Sequence, residues 1–170
     1  HSVREGLRAA GSGPADEAIH VHDGARPQLT AGLVEACLRA VAAGADAAIA
    51  AAPVTDTVKQ AGAPTDTGLA RVERTLDRSR LWAVQTPQAF RRAALTAALD
   101  RPEPELAAAT DDASLVEADG GDVRLVPAPR SNLKVTVPED LRLAELLLGT
   151  HRRPGERAEP PSAARQSGPC

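Results

Sequence analysis

Ala18-Ile19-His20-Val21-His22-Asp23-Gly24-Ala25-Arg26-Pro27 joins a short apolar run to an acid, a small flexible pair, a guanidinium and a proline. Ala18 to Val21 reads as a buried strand. Open α/β sheets place their ligand sites just past the carboxyl ends of such strands. Asp23 is suited there to accept hydrogen bonds from substrate hydroxyls or from water on a metal. Arg26 is suited to clamp a phosphate with both prongs of its guanidinium, and Pro27 fixes φ and holds the turn. The same residues equally describe a strand-ending turn with a surface Asp–Arg pair, so their meaning depends on what surrounds them.

Working outward, Ser2 to Ala10 reads as a short helix with Val3 and Leu7 on one face. Gly11-Ser12-Gly13-Pro14 ends it. Thr30 is placed as the N-cap of a helix to about Ala43, with Leu33, Val34, Cys37, Leu38 and Val41 as its apolar stripe and Gly44 as its stop. The Ala-rich run from Asp46 to Val54 is ambiguous by propensity. Pro53 and the need for a partner strand favour a buried strand, the second of a βαβ unit. The segment 55–80 is short, alternating and polar, with turn chemistry at its centre. It predicts a two-stranded excursion, which is marginal alone in water and needs a surface to lie on.

Leu81 to Gln85 returns to the sheet. Thr86-Pro87 predicts an N-cap and first helical position, with a helix from Pro87 to about Leu99. Arg101-Pro102-Glu103-Pro104 breaks that helix, and Thr110-Asp111-Asp112 starts another. Val123 to Pro127 and Asn132 to Val135 read as the last strands. Thr136-Val137-Pro138-Glu139 reads as a capping box for a closing helix with Leu141, Ala144 and Leu148 on one face. The expected organisation is one α/β domain over residues 1–150, with a mostly parallel sheet, an arm at about 55–80 and a disordered tail at 151–170.

Of the 170 residues, 42% are hydrophobic, yet Trp82 and Phe90 are the only aromatic ones. The core must therefore be Ala, Leu and Val, which suits helices packed closely on a sheet. The formal net charge is −3, and no basic stripe with interleaved aromatics is present, which argues against nucleic-acid binding. Cys37 and Cys170 form no disulfide framework, so a reducing cytoplasm is expected. No apolar run is long enough to span a membrane. The sequence contains no Met and opens on His1, within a helix-like stretch, so a preceding segment is expected.

Asp23 with Arg26, Thr57 with Lys59, Arg78, and Lys134 fall at strand ends or on the ribbon. Such cations in an acidic chain suit phosphorylated substrates and the charge that develops in phosphoryl or nucleotidyl transfer. Lys134 alone also fits an edge-strand gatekeeper. His20 and His22 share a strand face but have no further ligand at metal spacing. No Gly-x-Ser-x-Gly elbow, Walker A loop or Gly-x-Gly-x-x-Gly loop is present.

Six segments then occur in order: His22 to Pro27, Ala52 to Lys59, Asp77 to Trp82, Gln85 to Phe90, Thr110 to Ser114 and Asn132 to Thr136. Together they closely resemble the 2-C-methyl-D-erythritol 4-phosphate cytidylyltransferase family, from about Ser2 to Leu148. The resemblance implies a Rossmann-like nucleotidyltransferase fold and a cytoplasmic homodimer joined through the ribbon. It implies a reaction of CTP with methylerythritol phosphate, with Mg²⁺ bound mainly through the CTP phosphates. It implies that Asp23 binds substrate hydroxyls and Arg26 holds the substrate. Thr57 and Arg78 would bind the substrate phosphate, Lys134 would meet the phosphates, and Ser2 would lie near the nucleotide, with Lys134 and Asp23 as the catalytic pair. The family's glycine-rich loop, which grips the triphosphate, has no counterpart in this sequence. Two other readings stay open: a cytidylyltransferase for another polyol phosphate such as ribitol 5-phosphate, and a non-catalytic fragment that only dimerises.

Overall fold

The structure, a computed structural model, describes residues 2–151. The tail expected at 151–170 lies outside the described residues except for His151. Helices α1 (Ser2–Ala9), α2 (Ala31–Ala42), α3 (Arg92–Leu99), α4 (Glu103–Ala108), α5 (Asp112–Ala118) and α6 (Pro138–His151) surround strands β1 (Ala18–Val21), β2 (Ala47–Pro53), β5 (Trp82–Arg91) and β6 (Val123–Pro127). The remaining strands, β3 (Lys59–Ala61) and β4 (Val72–Thr75), form a separate two-stranded sheet.

The main sheet has the order β1-β5-β2-β6. β5 is antiparallel to both β1 and β2, while β6 is parallel to β2. β1, β2 and β6 therefore run in one direction and β5 alone runs against them. The expected βαβ unit exists as β1-α2-β2, but β5 lies between its two strands. Side chains alternate across the sheet. On one face Ala47 and Ile49 of β2 and Phe90 of β5 pack against Leu95 and Leu99 of α3, Leu106 of α4 and Leu115 and Val116 of α5. On the other face Ala48, Ala50 and Ala89 meet Leu33, Cys37 and Val41 of α2. The first six residues of β2 are buried, and small side chains let helices approach from both sides.

α2 forms where its signals put it: the Thr30 side chain accepts from Leu33 N, and Gly44 takes φ 104° beyond the last turn. Burial raises the Cys37 thiol to about 11. At pH 8.5 such a group is only about 0.3% thiolate, so alkylation of Cys37 by iodoacetamide, read separately from Cys170 by peptide mapping, should be far slower in the folded chain than in urea. Stability should fall as pH climbs from the unfolded thiol's value of about 8.5 towards 11, because the unfolded chain then loses its proton first. Equal alkylation rates with and without urea would show that Cys37 is not buried.

Five local expectations are corrected. Pro87 does not start a helix. β5 runs on through the cis Thr86-Pro87 bond to Arg91, and α3 begins at Arg92. The Thr86 hydroxyl caps nothing, because it accepts from Asp23 N across the sheet. Phe90 and Ala89 instead fill opposite faces as strand residues. Asn132 to Val135 is no strand. The ladder ends where Ala128 N donates to Ala51 O, and Pro127 and Pro129 flanking that bond have no N–H to extend it. The segment after Pro102 is not only a breaker, since α4 begins at Glu103 with Leu106 buried. In α6 Ala144 is buried, but Leu141 and Leu148 are 52% and 41% exposed, so the expected apolar face is covered only at its centre. The acid at its start is Asp140 rather than Glu139, accepting from Thr136 N and Oγ1.

Candidate functional site

The turn after β1 is built by its own side chain. Asp23 Oδ1 accepts from Ala25 N at 3.0 Å, and Arg26 N donates to Asp23 O at 2.9 Å. This closes an Asx-type turn over Gly24 and Ala25. The second carboxylate oxygen, Oδ2, meets Lys134 Nζ at 2.8 Å. That bond, with the one from Ala25 N, holds the Asp23 carboxyl below the usual carboxylate range. The Asp23 carboxylate remains charged through neutral pH, and its contact with Lys134 is lost only as pH falls through the depressed value.

Arg26 is held from two sides. Its Nη1 donates to Asn132 O at 2.8 Å, and its own carbonyl lies 3.2 Å from His22 Nε2. A carbonyl only accepts, so Nε2 carries the proton in the neutral ring. His22 Nδ1, 3.1 Å from Thr86 Oγ1, then accepts the threonine proton. Thr86 Oγ1 in turn accepts from Asp23 N at 3.0 Å. His20, two residues earlier, has no hydrogen-bond partner on either ring nitrogen among the described residues, and burial, with His22 beside it, lowers its pKa. The two histidines therefore have different surroundings: His22 is held at both ring nitrogens, while burial dominates at His20.

Asn132 ties the third segment in. It is fully buried, and its Nδ2 donates to Gln85 Oε1 and to Thr86 O, both at 2.8 Å. Loop 22–26, the middle of β5 and loop 129–135 thus share one polar network that ends in Asp23, Arg26 and Lys134.

The structure brings those three expected residues together and leaves the others apart. Arg78 Nη1 donates to Thr55 O at 2.5 Å at the base of the ribbon, two residues from the exposed Thr57. Arg130 Nη1 reaches Thr55 Oγ1 at 2.6 Å. Among the described residues no hydrogen bond or ion pair links Thr57 or Arg78 to the Asp23 cluster. Ser2 is exposed at the start of α1, with no bond to that cluster among the described residues. Asn132, Thr86 and His22 are the functional candidates that residue-by-residue reading missed. Their signal was a polar residue inside each quoted segment whose partner lies far away in sequence.

A cavity of about 620 Å³ lies elsewhere, between α1, loop 11–15 and α3. Its guanidiniums are already matched: Arg92 with Glu17 at 2.6 Å, Arg8 with Glu5 at 2.8 Å and Arg4 with Glu103. Among the described residues no group of three or more His, Cys, Asp or Glu side chains is placed to hold a metal. No helix among them is long and apolar enough to cross a membrane.

The β1-β5-β2-β6 sheet with flanking helices is a cytidylyltransferase fold. The Thermus thermophilus 2-C-methyl-D-erythritol 4-phosphate cytidylyltransferase matches it with TM-score 0.71 and 36% identity, over 87% of this chain and 68% of that one. The Francisella tularensis enzyme of the same name matches with TM-score 0.74 and 30% identity, over 85% and 65%. A family model described as IspD, 2-C-methyl-D-erythritol 4-phosphate cytidylyltransferase, covers residues 1–150, and the chain belongs to that family. The Rubrobacter xylanophilus protein of that name is 49% identical over 156 residues, which are 92% of this chain and 64% of the relative. The chain thus spans about two thirds of the length of these relatives.

Proposed function

We propose that this chain provides the sugar-alcohol phosphate half of a cytidylyltransferase site, joining CTP and 2-C-methyl-D-erythritol 4-phosphate into the CDP-alcohol with release of pyrophosphate. The observation that carries this is the contact of Asp23 Oδ2 with Lys134 Nζ, beside an Arg26 anchored on the same loop as Lys134. One carboxylate and two cations converge on a single small surface. Asp23 accepts hydrogen bonds from substrate hydroxyls. Lys134 and Arg26 draw the substrate phosphate to the cluster and offset charge as its oxygen attacks the α-phosphorus of CTP. The bond from the α-phosphorus to the bridging oxygen breaks, and pyrophosphate takes the electron pair.

Mg²⁺ in this reading travels with the CTP phosphates and neutralises their charge. Asp23, the carboxylate of the cluster, is already engaged by Lys134 and by Ala25 N. Thr57 and Arg78 add phosphate donors at the ribbon base. β3 and β4 are exposed along their whole length, and a lone two-stranded ribbon is marginal, which supports a second subunit lying on it. Ser2 lies on the nucleotide side, and a cytoplasmic setting suits the buried free thiol of Cys37.

The test uses this chain and a version preceded by a family glycine-rich N-terminal segment. Each is supplied with CTP, Mg²⁺ and either methylerythritol phosphate or ribitol 5-phosphate. We expect the extended protein to release pyrophosphate with the first alcohol in preference to the second, and to sediment as a dimer. No release with either alcohol refutes the reading, and preference for ribitol 5-phosphate changes the substrate.

A further inference from the structure

We infer that Asn132 is a positioning residue that sets the spacing between Arg26 and the Asp23–Lys134 pair. The inference rests on the cytidylyltransferase reading above. Asn132 is wholly buried, and each of its two amide protons has an acceptor, Gln85 Oε1 and Thr86 O. Its own carbonyl accepts from Arg26 Nη1, and its N–H donates to Pro129 O at 3.1 Å. Lys134 follows two residues later. Thr86, the residue whose carbonyl Asn132 holds, carries the hydroxyl that receives Asp23 N. Each of the three charged groups is thus fixed to Asn132 through its own short path.

A residue serving only to fill space here would be apolar. Among the described residues Asn132 Oδ1 has no hydrogen-bond partner, and an unmet buried acceptor costs about 1–3 kcal/mol. Thr86 O is a carbonyl, so the nitrogen of the amide must face it, and flipping the amide would not relieve Oδ1. A polar side chain kept at that cost, at the junction of three charged groups, is where local packing rules give way to function. Misplacing reacting groups by about 1 Å can cost 10²-fold in rate.

Asn132→Ala and the double variant Gln85→Leu with Asn132→Leu separate positioning from stability. The double variant replaces both members of the side-chain pair by apolar groups, which spares Gln85 an unmet acceptor, while Thr86 O loses its donor in both variants. In the extended protein we expect kcat/KM for methylerythritol phosphate to fall roughly 10²-fold in both variants. KM for CTP should not change, and the double variant should regain part of the Tm that Asn132→Ala loses, by refilling the space and removing the unpaired Gln85 amide. If the double variant recovers kcat/KM together with Tm, or if Asn132→Ala stays within about twofold of the parent, the inference is overturned. A second readout needs no turnover. Carboxyl ¹³C titration of Asp23 in the present chain should move up towards the ordinary carboxylate range in Asn132→Ala, as Lys134 loses its placement, and an unmoved Asp23 counts against the inference. Absence of turnover in the parent would overturn the catalytic reading instead, while leaving the titration to judge Asn132.

Discussion

Lys134→Ala in the extended protein should reduce pyrophosphate release at limiting methylerythritol phosphate by about 10²–10³-fold, the loss typical of one preorganised donor to developing charge. The fold should hardly notice. Lys134 is 49% exposed, and partly exposed ion pairs contribute only about 0–1 kcal/mol. Tm should therefore stay nearly constant while the rate collapses. The Asp23 carboxyl, released from its strongest hydrogen bond, should titrate closer to the ordinary value of about 3.9. Steady-state kinetics at varied alcohol phosphate, with a melting curve on the same sample, make the test. An unchanged rate would return Lys134 to the plain role of a charged loop residue. A rate lost together with Tm would show that the lysine is structural.

Phe90→Ala should cost about 3–5 kcal/mol of stability, the range for deleting a fully buried aromatic ring. Phe90 is 0% exposed and sits in the middle of the sheet, paired with Ile19 on β1 and Ala47 on β2. Its neighbours on that face come from α3, α4 and α5. Its β-strand partners cannot close the gap, because each is fixed in register by ladder hydrogen bonds. Whole domains are stable by only about 5–15 kcal/mol, so the variant should sit near its folding threshold. Urea titration should show a lower midpoint with an unchanged slope. Leu146→Ala is the control: that side chain is 69% exposed, and its loss should change stability by less than about 0.5 kcal/mol. A Phe90→Ala midpoint equal to that of Leu146→Ala would remove Phe90 from the core.

Elements whose hydrogen bonds close within a few residues were legible from the sequence. The Thr30 cap, the α2 stripe, the Gly44 stop and the Asp111 start of α5 each depend on partners within about one helical turn, so their residue types carried the information. The ribbon was legible because turn chemistry separates two short alternating runs. The Asp23–Arg26 turn was legible as a turn, since Asp23 closes it on Ala25. Lys134 was legible as one of several cations at strand ends, but nothing local paired it with Asp23, 111 positions earlier.

Tertiary structure decided what the distant partners would be. Thr86 looks like a helix cap by local rule, but its hydroxyl serves Asp23, 63 residues away, and so the chain stays extended through Pro87. Arg26 and Asn132 are 106 residues apart, and neither side chain announces the other. Asn132-Leu133-Lys134-Val135 alternates like a strand, yet prolines end the ladder before it; the Asn132 amide turns to β5, and Lys134 and Val135 N turn to the loop after β1. β5 lies between β1 and β2, where it buries Phe90 on one face and Ala89 on the other. Local patterns encode short-range hydrogen bonds and periodic burial. The choice of long-range partner is made when several segments compete to satisfy the same buried groups, and the network joining Asp23, Arg26, Lys134 and Asn132 arises only from that competition.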